Sequence, residues 1–372
     1  MPRFYFTFWI ILFAFLAEVY GQDPQFSQFY ANPLAQNPAF TGNARMGRVI
    51  VNYRKQAYGL NRDFETMAAS YDTYLENTDS RTGQPSLGLG LQLMRDKQGA
   101  GTFMGSAEGL YTTSGYISAS KRLARFGRDG KYKFWSGMQV GGVSRLIRGQ
   151  SLLFADQFSG SGVSPTSMDP VALANGISRN FFDVNAGLLF EVDPQENMAL
   201  YDRTETMYWV GGAIHHLNKS LQNDPWLPVS QRVSLQAGLT IPFARILSLE
   251  RGHTPSPYRV RTHTLAANVR QQAGLAQLDF GYNWRYSPLM LGAWVRGIPL
   301  NKASKNFQQN ALVFLVGIQP TDFPFQVELS YDFPLSTFRG YTGGAYELSL
   351  WMGLEKLGLS TKRFRQFKFP AL

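Results

Sequence analysis

Several stretches of this chain alternate apolar and polar residues over about ten positions, and that period of two limits the folds open to it. Leu87, Leu89, Leu91 and Leu93 interleave with Gly88, Gly90 and Gln92. Phe182, Val184, Ala186, Leu188 and Phe190 alternate with Asp183, Asn185, Gly187 and Glu191, only Leu189 breaking the pattern. Val233–Ile241 sets Val233, Leu235, Ala237, Leu239 and Ile241 against Ser234, Gln236, Gly238 and Thr240. Leu278, Phe280, Tyr282 and Trp284 stand against Gln277, Asp279, Asn283 and Arg285. Phe325, Val327, Leu329, Tyr331 and Phe333 stand against Gln326, Glu328, Ser330 and Asp332. Successive side chains of a strand point to opposite faces, so each stretch carries one apolar and one polar face.

A soluble sandwich also alternates, but its strands average about 5–6 residues, whereas a transmembrane strand needs about 9–11. These runs match the longer figure and carry Phe, Tyr and Trp near their ends, where interfacial girdles sit. A charge facing lipid at mid-bilayer costs about 2–4 kcal/mol. The face holding Asp183, Arg232, Asp279, Arg285 and Glu328 is therefore assigned to a lumen. The fold class expected is all-β, a transmembrane antiparallel outer-membrane β-barrel. Candidate strands fall at 48–58, 64–74, 86–97, 102–121, 131–150, 181–192, 206–217, 231–242, 258–271, 275–286, 289–296, 310–319, 325–333 and 345–355. That makes about fourteen, an even number as single-chain bacterial barrels require. The 372 residues then need only one domain besides their ends.

The ends read differently. Met1–Gly21 has Arg3, the apolar run Phe4–Ala17, and small residues Val19 and Gly21 at the −3 and −1 positions, which reads as a cleaved secretory signal. No later apolar run approaches the roughly 20 residues of a membrane helix. Residues 22–47 form an amino-terminal segment that either folds into the lumen or caps the periplasmic mouth. Residues 48–355 form the barrel. Residues 356–372 form a basic tail, with Lys356, Lys362, Arg363, Arg365 and Lys368 among Phe364, Phe367 and Phe369, read as a periplasmic partner contact. The longest connection, about Ser151–Asn180, is placed on the cell surface as the interaction loop.

Searches for chemistry return little. Zero Cys removes disulfides, thiolate metal sites, cysteine nucleophiles and lipoprotein attachment. There is no Gly-x-Ser-x-Gly elbow, no His-Glu-x-x-His and no phosphate-cradling loop. Gly88-Leu-Gly90 lies within a strand and reads as close packing. His215 and His216 are adjacent, and strand neighbours face opposite ways, so a shared metal is not expected. Carboxylates such as Glu328 and Asp332 face the same lumen as Arg232 and Arg285, which favours charge pairing over acid–base catalysis. No catalytic residue, cofactor or metal is assigned, and the chain is not read as an enzyme. The net charge of +10 survives signal removal, because Arg3 and Glu18 leave together. It is scattered over the chain, so lumen, rim and lipid headgroups account for it better than nucleic acid.

The segment after the signal carries the identity. Asp23, Pro24, Phe26, Ser27 and Gln28, then Asn32, Pro33 and Leu34, then Asn37, Pro38, Ala39, Phe40 and Gly42 spell Asp-Pro-x-Phe-Ser-Gln, Asn-Pro-Leu and Asn-Pro-Ala-Phe-x-Gly. This pattern resembles the PorP/SprF family of the type IX secretion and gliding machinery of Bacteroidota. The resemblance continues through Asn52–Gln56, Gly88–Gly99, Leu153–Gln157 with Asp156 and Gln157, Asp183–Gly187, and Gly212–Leu217 with His216. It closes through Arg285–Arg296, Ser330–Phe333 with Asp332, and Gly343–Ser349 with Glu347. The departures are Ala57, where the family has Trp, and a tail lacking its frequent Cys-Pro.

The resemblance implies an outer-membrane component that serves secretion by binding, without being the translocon. Its implied partners are outer-membrane lipid, the translocon, periplasmic-ring or peptidoglycan-linked parts of the machine, and secreted cargo such as adhesins with carboxy-terminal sorting domains. A cargo-dedicated copy is favoured over the core component, since genomes of this group carry many copies. The cargo is expected at the 151–180 loop and lumen mouth, with the 22–42 segment and tail facing the periplasm. The rival reading is a passive outer-membrane solute porin.

Overall fold

The computed structural model describes residues 23–44, 47–56, 63–75, 87–103, 106–127, 130–148, 158–159, 162–163, 176–194, 205–220, 224, 227–242, 261–301, 310–320, 325–335 and 343–354. Met1–Gly21, the tail 356–372, Asp156, Gln157 and most of the 151–180 loop lie outside them.

The chain forms β1 (Arg48–Gln56), β2 (Asp63–Leu75), β3 (Leu87–Phe103), β4 (Ser106–Phe126), β5 (Tyr132–Arg148), β6 (Phe158–Ser159), β7 (Gly162–Val163) and β8 (Ile177–Val192). It continues with β9 (Met207–His215), β10 (Arg232–Pro242), β11 (Arg261–Gln272), β12 (Leu275–Tyr286), β13 (Leu289–Pro299), β14 (Ala311–Ile318), β15 (Phe325–Pro334) and β16 (Ala345–Gly353). β6 and β7 pair only with each other, in the long connection. The other fourteen strands form an antiparallel meander that closes where β1 pairs with β16, Arg48 opposite Gly353 and Gln56 opposite Ala345. Closure satisfies every edge, which membrane-spanning sheets require.

The alternation sorts the two faces as expected. Leu91, Leu93, Ile117, Leu235, Phe280 and Leu329 are exposed on the outside, while Asp183, Asp279, Arg285 and Glu328 are buried within. Leu189, the residue out of phase, is buried inside the lumen. Outward aromatics such as Phe126, Tyr132 and Phe190 stack at the end of the barrel where β1 begins.

Strand heights are unequal. β3, β4, β5 and β8 have 17, 21, 17 and 16 residues, against 8–13 elsewhere. The extra length lies at the end opposite the start of β1, so one wall stands taller there. At that same end a turn of two residues joins β11 to β12, with Ala273 at φ 53° and Gly274 at φ 74°. Positive φ at both central positions gives the turn the twist that suits a hairpin.

Candidate functional site

Residues 23–44 lie inside the barrel and form a plug. Its three short turns, two of them opened by proline, follow from its sequence. Gln28 precedes a 3-10 turn at Phe29–Ala31, Asn32 caps the single helical turn Pro33–Gln36, and Asn37 caps a second 3-10 turn at Pro38–Phe40. Pro33 and Pro38 sit at the first helical position, where the missing N–H costs nothing. Phe26, Phe29, Tyr30, Leu34, Ala39 and Phe40 are all buried, and the barrel's own lumenal tryptophans complete their core. Phe29 and Tyr30 pack on Trp294 at ring separations of 5.6 and 5.4 Å, and Phe40 meets Trp209 edge-on at 5.3 Å.

One wall of the lumen accommodates the plug by omitting side chains. A Cβ on Gly88, Gly90, Gly137, Gly187 or Gly211 would come closer than 3.0 Å to plug atoms of Thr41, Leu34, Pro38 or Asn37. On this wall the Asn37 amide donates to the carbonyls of Leu188 and Gly212 at 3.1 and 3.3 Å and to Gln236 at 3.3 Å, while its oxygen accepts from Ala39 N–H at 2.9 Å. Gly42, at φ 68°, ends the plug in a conformation few other residues adopt.

The opposite wall recognises the plug with charges and rings. The Ser27 N–H donates to Glu347 at 2.6 Å, and Arg54 reaches the Ser27 hydroxyl while pairing with Asp332 at 2.8 Å. Arg296 meets the same Asp332 oxygen at 2.8 Å. Tyr30 accepts from Asn283 at 3.1 Å, and Trp294 donates to Asn283 at 2.9 Å. Where the plug passes into β1, the Asp72 carboxylate takes a forked bond from Arg48 at 2.8 and 2.9 Å and the Gly42 N–H at 2.7 Å.

Gly42 thus sits at the β1 end of the barrel, whereas Asp23 lies at the other end, against residues that close β9, open β10 and close β11. Asp23 N–H donates to Gln272 at 2.9 Å, and its carboxylate meets His216 at 3.0 Å and Arg232 at 3.0 Å. The plug therefore crosses the full height of the lumen. Of the two placements expected for this segment, the lumen holds residues 23–44, and its first residues lie away from the end where β1 starts and β16 stops. The reason is the chain of docking contacts from His216 to Asp72, spaced along the barrel axis.

A correction concerns the histidine pair. His216 lies beyond β9 with φ 59°, so the rule of opposite faces does not hold, and both His215 and His216 are buried inward. They still take different partners. His215 faces the Gln36 carbonyl at 3.2 Å, and His216 stands between Asp23 and Asp183, with Nδ1 2.9 Å from the latter. Both ring nitrogens of His216 face carboxylates, which demands the imidazolium. Burial disfavours that charge, but Asp23 and Asp183 outweigh it and hold the His216 pKa at about 9. Burial would likewise raise the Asp23 carboxyl, but His216 and Arg232 hold it well below the usual range. Among the described residues no group of three or more acids and histidines is arranged to hold a metal.

The structure therefore gathers Asp23, Phe26, Ser27, Asn32, Pro33, Asn37, Pro38, Gly42, His216, Asp332 and Glu347 in one lumenal assembly. Gln28 is fully buried in the plug, and Pro24 borders a cavity beside it. Sequence reasoning missed the glycine wall, the inward tryptophans Trp135, Trp209, Trp294 and Trp351, and the pair Arg48–Asp72. It also missed a relay of amides on the floor of that cavity. Gln92 donates to Asn32 at 3.0 Å, Gln139 to Gln92 at 3.0 Å, Asn185 to Gln139 at 2.9 Å, and the His216 N–H to Asn185 at 2.9 Å. Pattern breaks such as Leu189 were the available signal.

Comparison with known proteins bears on the same assembly. A family model described as type IX secretion system membrane protein PorP/SprF matches residues 18–352, from before the plug to the last strand. No curated protein matches the chain. Among solved structures, a Pseudomonas aeruginosa FadL homologue aligns over 85% of this chain and 92% of its own at 11% identity and a TM-score of 0.41. A variant of the TodX monoaromatic hydrocarbon channel aligns over 86% and 91% at 12% identity and 0.38. A variant of the Rhodopseudomonas blastica porin aligns over 82% and 98% at 7% identity and 0.30.

Proposed function

Because the chain belongs to the PorP/SprF family of type IX secretion system membrane proteins, we propose that this outer-membrane barrel supports export and surface attachment of secreted cargo by binding, without catalysis and without conducting solute. The observation that carries the reading is the plug. Residues that spell the family pattern are spent on closing the lumen, so the barrel is built to present surfaces at its two ends rather than to pass material through its middle. β1 starts and β16 stops at one end, which in such barrels is periplasmic. The basic tail 356–372 follows β16 and is assigned to the machine's periplasmic partners.

The opposite end receives cargo, with the tall β3–β8 wall, the 151–180 connection and the start of the plug as its parts. With Asp23 at the end away from the start of β1, the first plug residues are assigned to this surface and not to the periplasmic side expected for them. Cargo with a carboxy-terminal sorting domain is the class expected there. The test is deletion of the gene, followed by surface labelling and periplasmic fractionation. Loss of a sorting-domain cargo from the surface, or its accumulation in the periplasm, is the expected outcome. An unchanged surface and periplasm would overturn the proposal.

A further inference from the structure

Beside the start of the plug, under the tall wall, lies a cavity of ≈ 80 Å³ lined by residues of the plug and of β3, β4, β5, β8, β9, β10 and β11. Its polar lining is mostly satisfied by the amide relay and by the Asp23–His216 pair. Four polar atoms of the lining residues are buried without a hydrogen-bond partner: Asn32 Nδ2, Ser114 Oγ, Arg145 Nε and Arg270 Nε. Their side chains are exposed by only 2%, 4%, 6% and 8%. Three of these atoms can only donate, and the hydroxyl can donate as well. Apart from the Ser114 hydroxyl, no fully buried side-chain acceptor of the lining residues is left over among the described residues. A site with more spare donors than spare acceptors among its buried atoms fits a ligand that accepts.

Charge points the same way. Arg270 is paired with Asp279 at 2.5 Å and Arg232 with Asp23 at 3.0 Å, but Arg145 has no carboxylate within ion-pair distance among the described residues. Its Nη1 donates only to the Pro228 carbonyl, at 3.3 Å. The acids within electrostatic reach are engaged elsewhere, Asp23 by His216 and Arg232, Asp96 by Thr66 and Gln98, and Asp224 by Arg179. A buried guanidinium without an anion is expensive, and a bound carboxylate relieves that cost through short charge-assisted bonds. Phe26, Val143 and Phe181 supply apolar lining beside it. The volume suits a group of a few heavy atoms, not a large ring system.

We infer that this cavity is a binding site for a small organic carboxylate, with the Arg145 guanidinium as its anchor and Ser114 and Asn32 as further donors. The carboxylate can belong to a short-chain acid or to the end of a peptide chain, and both present the same acceptor-only group on a small body. The site is independent of the cargo proposal, because binding is measured on the purified barrel and secretion is not part of the readout.

The experiment measures binding of ¹³C-labelled propionate and of neutral propionamide to the full-length protein in detergent, by saturation-transfer NMR. Propionate is expected to bind about tenfold or more tightly than propionamide, the scale of a charge-assisted hydrogen bond. Arg145→Gln is expected to remove that preference, while Arg125→Gln, outside the cavity, leaves it intact. Folding of each variant is checked by heat-modified gel mobility. If Arg145→Gln does not fold, Ser114→Ala serves instead, with an expected loss of about threefold in propionate affinity. Equal binding of the two probes, or full propionate preference in the folded variants, would overturn the inference. Comparing Ala-Gly-Gly with its amidated form then separates the sources. A free-acid peptide that binds more tightly than propionate makes the ligand a chain end, and one that does not makes it a short-chain acid.

Discussion

Along β3, β5, β8 and β9 the lumen offers the plug glycine and bare backbone, with Trp135 and Trp209 among them, whereas along β12, β13, β15, β16 and β1 it adds arginine and carboxylate to Trp294 and Trp351. The glycine wall reads the plug's path and leaves no space for any side chain of its own at five positions. The charged wall reads particular atoms, such as the Ser27 N–H and the Tyr30 hydroxyl. A backbone-shaped wall holds the plug by fit, so it fails by overpacking. A side-chain wall holds it by pairing, so it fails by leaving a partner orphaned.

The two modes of failure differ in size and sign. The largest effect is expected at the charged side, where Arg48→Met leaves the fully buried Asp72 without its fork. Removing one partner of a buried pair costs about 3–5 kcal/mol, and urea unfolding of the barrel in lipid should record a loss of that order. On the glycine wall, Gly187→Val places a branched side chain where the Asn37 amide lies, at a cost of about 3 kcal/mol from forced displacement. Its signature is distinct, since the barrel should stay folded while the plug becomes sensitive to protease. If Gly187→Val unfolds the barrel and Arg48→Met does not, the division of the two walls is wrong.

Asn37→Ala comes next, at about 2 kcal/mol, because it leaves the Gln236 side chain and two strand carbonyls short of a donor. The remaining effect is the dependence on pH. His216 is raised above its ordinary 6.5 to about 9, so its contribution is complete below pH 6.5 and fades as pH rises through 9. Asp23 is lowered from 3.8, so its contribution is present above that pH and fades as acid is added. The latch at the far mouth should be firmest between these limits, and His216→Gln should remove the alkaline loss from a thermal-shift titration. An alkaline loss that persists in His216→Gln would assign it to another group.

The barrel was legible in the sequence because lipid outside and water or plug inside impose opposite demands on alternating residues. The strand limits were legible only where that contrast exists. β3 runs to Phe103 instead of residue 97, and β8 begins at Ile177 instead of residue 181, because above the bilayer neither face meets lipid and the alternation fades. The plug's residues stood out as a motif, but its wall did not. Gly187 and Trp209 occupy the inward phase like any polar filler, and their contacts with Asn37 and Phe40 join residues about 150 or more positions apart. Nothing local marks such a meeting. The turn of His216 into the lumen was hidden for a simpler reason, since a positive φ at a non-glycine residue leaves no trace in a periodicity.

Residues 23–44 fill the lumen from end to end, and the proposed binding role requires that they close it. Single-channel recording of the full-length protein in a planar bilayer decides whether they do, with Gly187→Val recorded alongside. Wild-type protein that carries no steady current, together with a variant that opens, is the result the plug predicts. A steady open channel in the wild type, with the plug intact, would contradict the account and make the protein a porin.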